Sequence, residues 1–213
     1  YPRTDFAVDG LEDCRLYLAG EQLCVSATVR NFAPFNGNCR IGTAKIDLDT
    51  YSLLDLEVPP APAEQHEKNW MPVIGQDCWL YTCGADGKTV IARRDGKNWR
   101  LFSLGTAPRI THSFRGGTQL VPFSGGYLCA IHEVTYADNN RTYEHRFVWC
   151  DDQLRVKKIS APFYFRNKQR IEFAAGIAVV GDKVTLSFGF QDKEAWLAIL
   201  ARDRVLSMLA AVT

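Results

Sequence analysis

The sequence predicts an all-β chain, and three observations carry that prediction. Short runs rich in Val, Ile, Tyr, Phe and Trp recur along its 213 residues, cut by Gly, Asp and Asn, while helix signals are scarce. Turn residues sit between those runs, where glycine or aspartate accepts a positive φ at little cost. Polar clusters return at intervals of roughly fifty residues, each holding about four strands, which is the content of one blade of a β-propeller.

The first cluster, Gly10-Leu11-Glu12-Asp13-Cys14-Arg15, opens onto the apolar run Leu16-Tyr17-Leu18-Ala19. Strands are then expected at 22–30, 39–48, 78–83, 89–93, 118–123, 127–134, 145–150, 177–180, 183–189 and 194–201. Turns are expected at Ala85-Asp86-Gly87-Lys88, Arg94-Asp95-Gly96-Lys97, Ser124-Gly125-Gly126 and Gly181-Asp182. Pro59-Pro60-Ala61-Pro62-Ala63 cannot be a central strand, because proline donates nothing to a ladder, and it reads as a connection between units. Glu12-Asp13, Glu67-Lys68-Asn69, Arg115-Gly116-Gly117-Thr118 and Ile171-Glu172-Phe173 head four groups of strands. The expectation is therefore four visible blades in a single domain over residues 1–213, with a β-sandwich as the competing architecture.

Composition narrows the function classes. With 46% hydrophobic residues the chain can bury a sizeable core. A formal net charge of +1 gives no electrostatic reason to expect nucleic acid or an acidic membrane surface as partner. No apolar run approaches the roughly 18 residues of a membrane span. The seven cysteines, Cys14, Cys24, Cys39, Cys78, Cys83, Cys129 and Cys150, lie in apolar segments without a CxxC pair. They read as buried free thiols, which favours a reducing, cytoplasmic location. Four histidines with no i, i+4 helical pair argue against zinc, so neither a metal nor a cofactor is expected.

A propeller turns this spacing into a site. Each blade's first strand lines the axis, so Glu12, Asp13, Arg15, Lys68, Asn69, Arg115, Thr118 and Glu172 would share one pocket, whereas a sandwich would scatter them. Alternation along a strand puts Asp13 and Arg15 on one face and Glu12 on the other, and the cation favours an ionised Asp13. Arg15, Lys68, Arg115 and Arg146 are candidate phosphate holders, with His132, Tyr143 and His145 as further donors. Each has a structural reading too. Asp13 and Arg15 form a structural ion pair, Lys68-Asn69 a solvated turn, and Gly116-Gly117 an ordinary turn rather than a close approach to ligand. His132, Tyr143, His145 and Arg146 become satisfied strand residues. Glu172, between Ile171 and Phe173, needs a partner or water.

With these residues in view, the chain resembles the glycoside hydrolase family 130-type phosphorylases and their mannosyltransferase relatives, which are five-bladed β-propellers. Glu12-Asp13-Cys14-Arg15 is similar to that family's Glu-Asp-Pro-Arg motif, with cysteine in place of proline. Lys68-Asn69-Trp70-Met71-Pro72 is similar to its Lys-Asn/Asp segment. Pro162, Glu172-Phe173-Ala174-Ala175-Gly176 and Ser187-Phe188-Gly189-Phe190-Gln191-Asp192 follow the order of its terminal elements. The block from His112 to Gln119, with Cys129 to Glu133, departs from the phosphorylases and marks a divergent branch. A five-bladed member would need a further blade, so the chain is expected to lack an N-terminal blade or to belong to a longer protein, with a neighbouring domain or an oligomer covering open edges.

The resemblance implies Asp13 as proton donor, acting directly or through a sugar hydroxyl. Glu12, Arg15, Asn69, Trp70, Glu172 and Asp192 would bind substrate, with Trp70 and Phe173 stacking on a sugar ring. Lys68, Arg115, His132, Tyr143, His145 and Arg146 would bind phosphate. The expected partners are an oligosaccharide or glycoside together with inorganic phosphate or a sugar nucleotide. The leading expectation is an enzyme, a glycoside phosphorylase or glycosyltransferase. A non-catalytic glycan-binding propeller is the alternative. A protein-interaction scaffold fits less well, since it needs no converging acid and cations.

Overall fold

The computed structural model describes residues 10–30, 37–62, 64–137, 140–166 and 170–212. Its strands form four antiparallel sheets. Blade A contains β1 (Leu11–Ala19), β2 (Gln22–Val29), β3 (Arg40–Asp47) and β4 (Ser52–Glu57), in that spatial order. Blade B contains β5 (Met71–Pro72), β6 (Trp79–Thr82), β7 (Lys88–Asp95) and β8 (Asn98–Thr106). In blade C the inner strand is split into β9 (Arg115–Gly116) and β10 (Val121–Phe123), followed by β11 (Gly126–Ala137), β12 (Asn140–Cys150) and β13 (Val156–Ser160). Blade D contains β14 (Glu172–Val180), β15 (Lys183–Phe190) and β16 (Glu194–Ala201). A short helix α1 (Arg202–Met208) then leads to β17 (Leu209–Ala211), which returns to pair with β13 at the edge of blade C. The chain is thus an all-β propeller of the five-bladed type with four blades in view.

Local chemistry places the turns as expected. Ser124 and Gly125, at φ 49° and 78°, close the two-residue hairpin between β10 and β11. Gly96 and Gly181, both at φ 58°, close the β7–β8 and β14–β15 hairpins. The proline-rich connection lies between β4 and β5, with Ala63 outside the described residues. Outer strands β4, β8 and β13 were not among the expected runs. The faces of β4 and β8 are largely exposed, which weakens the apolar alternation that marks a strand in sequence.

Packing runs between blades. Trp70, Trp79 and Trp99 of the blade B unit meet Ile41 of blade A, their rings edge-on at 4.7 to 5.0 Å. Met71, Leu80 and Ile91 pack on Leu120, Ile131 and Val148 between B and C, together with Cys78, Cys83, Cys129 and Cys150. Leu128 and Phe147 pack on Ile177, Leu186 and Phe188 between C and D, with Val205 of α1 joining them. All seven thiols are free, and six are buried as expected; Cys14 is the exposed one. No buried cluster among the described residues joins D back to A. Val180 and Leu197 of blade D are 76% and 67% exposed, and Leu16 and Leu18 of blade A are also exposed.

The paired glycines before β10 have a reason that sequence did not supply. A Cβ on Gly116 would overlap the Asn69 carbonyl oxygen, and one on Gly117 would lie 2.5 Å from the Ala130 carbonyl oxygen. Neither a ligand nor a turn demands them; the backbone of the neighbouring strands does. Gly116→Ala is expected to destabilise the fold by about 1–3 kcal/mol through overpacking, read as a lower denaturant midpoint. An unchanged midpoint would show that blade B yields freely at this contact.

Candidate functional site

One end of the axis holds a cleft of about 730 Å³ to which every blade contributes. Glu12, Asp13 and Cys14 come from β1, and Lys68 and Asn69 from the segment before β5. Blade C adds Arg115, His132, Arg141 and Tyr143; blade D adds Ile171, Phe173, Ala175, Gly189 and Asp192. Asp13, Lys68 and Arg115, distant in sequence, therefore meet in one cavity.

The entry to β1 departs from simple alternation. The pairing with β2 shifts between Glu12 and Arg15, and Asp13 takes φ 52°. This bulge turns Cys14 outward and sends Arg15 inward, so Asp13 and Arg15 do not share a face as expected. Arg15, only 1% exposed, donates from Nε to the Gly117 carbonyl at 2.5 Å and from Nη1 to the Asp13 carbonyl at 2.7 Å. Its guanidinium also lies over the Phe173 ring, 5.6 Å from the centroid. Arg15 thus supports the cleft floor from beneath instead of lining it.

Five other expected site residues also lie behind the wall. Trp70 is 1% exposed in the A–B interface and donates its indole N–H to Glu67 at 3.1 Å, so it offers no face to a sugar. Glu172 is buried, its carboxylate accepting the backbone N–H groups of Phe165 and Arg166 at 2.7 and 2.8 Å. His145 is packed by Phe163 and Phe165, and burial pushes its pKa down to about 4. Arg146 pairs with Glu133 at 2.7 Å and with Glu144 at 3.5 Å. Thr118 is buried too, its hydroxyl accepting from Ala130 N–H and donating to the Gln119 carbonyl. Sequence reasoning missed Arg141 and Cys14. Period-two spacing from His145 through Tyr143 points to Arg141, and the bulge at Asp13 explains Cys14.

At Asp13 the pull of the cation toward the ionised form is opposed by burial. Burial raises its pKa, opposed by Arg15 and Lys68 and reinforced by Asp192. Burial also raises Glu12, against the pull of Lys68, whose ammonium lies 4.0 Å from its carboxylate. His132 is pushed down to about 3 by burial, helped by His145, Arg15 and Arg115, so it is neutral at ordinary pH. Its ring stacks on Tyr143 at 5.1 Å and meets Phe173 edge-on at 5.2 Å, which fixes its orientation. Among the described residues no group of three or more His, Cys, Asp or Glu side chains could hold a metal ion, and no helix is long and apolar enough to cross a membrane.

Radial blades around a polar axial cleft define a β-propeller. The fold is shared with several solved structures. The β-1,2-mannobiose phosphorylase of Listeria innocua aligns at 18% identity and TM-score 0.66, covering 98% of this chain and 63% of the phosphorylase. A Bacteroides ovatus ATCC 8483 protein assigned to the glycoside hydrolases aligns at 14% and 0.56, covering 89% and 68% of the two chains. The family 43 endo-arabinanase of Bacillus licheniformis aligns at 12% and 0.52, covering 88% and 72%. The chain thus spans about two thirds of the length of the first two. No protein-family model matches the sequence, and no curated protein does so either.

Three polar residues of the wall hold left-handed backbone: Asp13 at φ 52°, Asn69 at 62° and Asp192 at 54°. Glycine adopts this conformation without strain. Asn69→Gly and Asp192→Gly are therefore expected to hold stability within about 1 kcal/mol of the parent while weakening ligand binding. A drop of several degrees in melting temperature would assign these side chains a structural role.

Proposed function

We propose that this cleft makes or breaks glycosidic bonds, by phosphorolysis or by transfer from a sugar nucleotide, with Asp13 as general acid. One observation carries the reading: the cleft brings carboxylates and cations from different blades together in one cavity. Glu12, Asp13 and Asp192 come from blades A and D, and Lys68, Arg115 and Arg141 from blades B and C. Glycosyl transfer passes through an oxocarbenium-like transition state in which a carboxylic acid protonates the departing oxygen. Burial keeps Asp13 protonated to higher pH than a solvated aspartate, as that role requires.

Two guanidinium groups and an ammonium supply charge-assisted donors for phosphate oxygens. The neutral His132 adds hydrogen-bonding capacity without charge. In phosphorolysis a phosphate oxygen bonds to the anomeric carbon, the bond from that carbon to the departing oxygen breaks, and the Asp13 proton passes to that oxygen. Phe173 offers an aromatic surface to a pyranose, and Asp192 an acceptor for its hydroxyls. The fold shared with a mannobiose phosphorylase supports β-1,2-linked mannosides as first substrates.

Incubation with β-1,2-mannobiose and inorganic phosphate, and separately with sugar nucleotides and acceptor sugars, is expected to give a sugar phosphate or an extended glycan. Binding without turnover would assign a glycan-binding module instead. Asp13→Asn is expected to lower turnover by about 10²–10⁴-fold, and undiminished turnover would remove Asp13 from the role. Activity should fall on the alkaline side as Asp13 loses its proton. Lys68→Met removes a cation that favours the carboxylate, so the alkaline limb moves to higher pH. Asp192→Asn removes a repelling charge, so the limb moves to lower pH. Limbs that fail to separate in these opposite directions would count against Asp13 as the titrating acid.

A further inference from the structure

The β11–β12 hairpin is longer than the sheet that carries it. β9 pairs with β11 only at Ile131 and His132, and β13 pairs with β12 only from Val148 to Cys150. Residues 133–136 and 141–144 therefore continue as a two-stranded ribbon. Directly opposed residues in an antiparallel pair share a face. The register sets His132 opposite His145, Val134 opposite Tyr143, and Tyr136 opposite Arg141 on one face. His132, Tyr143 and Arg141 line the cleft, which orients that face of the ribbon toward it, while His145 at its base is buried against Phe163 and Phe165.

The reverse face holds the ribbon in place. There Glu133 lies opposite Glu144, and Arg146 bonds to both. Ser113 donates its hydroxyl to Glu133, Tyr164 donates its hydroxyl to Glu144 at 2.7 Å, and the Arg146 guanidinium sits 5.9 Å from the Phe114 ring centroid. With its back braced, the ribbon presents the cleft-facing row at a set height.

Tyr136 ends that row directly across from Arg141, 68% exposed and not itself part of the cleft wall. Four residues along a strand place it about 13 Å from His132, farther than a single sugar ring extends. We infer that Tyr136 is a stacking platform for a distal sugar ring, and that the ligand is a linear oligosaccharide longer than a disaccharide. The inference rests on the carbohydrate reading of the cleft. A tyrosine ring offers a rigid, largely apolar face that loses little conformational freedom on contact. The C–H face of a pyranose complements it.

The test is calorimetric titration of the parent protein, Tyr136→Ala and Tyr136→Phe with linear oligosaccharides of mannose, glucose and arabinose, from two units to six. Affinity of the parent is expected to rise with length. Tyr136→Ala should lose that gain by about three- to tenfold, and Tyr136→Phe, which keeps the ring, should retain it. Affinity independent of length in the parent, or a gain that survives Tyr136→Ala, would overturn the platform while leaving the carbohydrate site standing. Absence of binding to every oligosaccharide would overturn both.

Discussion

Arg15 puts a guanidinium where strands from three blades converge, and its bonds to the Gly117 and Asp13 carbonyls make that burial tolerable. Desolvation lowers its pKa to about 10, which still leaves it charged at neutral pH. A cation enclosed at the hub requires carbonyl oxygens turned inward from blades A and C and an aromatic face from blade D. The bulge at Glu12–Arg15 is the local backbone response: it delivers the arginine inward and lifts Asp13 and Cys14 to the cleft. The general-acid candidate and the structural cation are thus coupled through two residues of backbone. The same charge helps hold His132 neutral.

The blade order was legible in sequence because apolar alternation and turn chemistry repeat locally. Ser124-Gly125 and Gly181-Asp182 announce their hairpins without knowledge of any other part of the chain. Convergence of Asp13, Lys68 and Arg115 was legible for the same reason, since the topology alone brings the strand entries together. Which face a side chain takes was harder to read. Trp70 follows Lys68-Asn69 as a ligand residue would, yet a three-tryptophan contact claims its ring for the A–B interface. Glu172 sits beside Phe173, which faces the cleft, but period-two alternation sends its carboxylate back to the Phe165–Arg166 backbone. Gly116-Gly117 could not be resolved from sequence because its cause is a neighbouring backbone.

Behind the cleft lies a second layer of polar groups that fixes the first. Glu67 accepts hydrogen bonds from Trp70 and Tyr81 directly below the Lys68-Asn69 segment. Glu172 anchors the chain entering β14, and the Arg146 network anchors the ribbon. These buried groups are satisfied by bonds within the protein, as buried polar groups must be. The groups at the front, Asp13, Asn69 and Asp192, instead stand on left-handed backbone. Rigid support behind a strained, ligand-facing surface is the arrangement expected of a preorganised site.

The outward turn of Cys14 has a practical consequence. It is the single exposed thiol of seven, and burial together with Asp13 raises its pKa, which slows its alkylation relative to a solvated thiol. A maleimide dye or nitroxide would attach at one position, beside Asp13. Its emission or mobility would then report occupancy of the axis without any engineered cysteine.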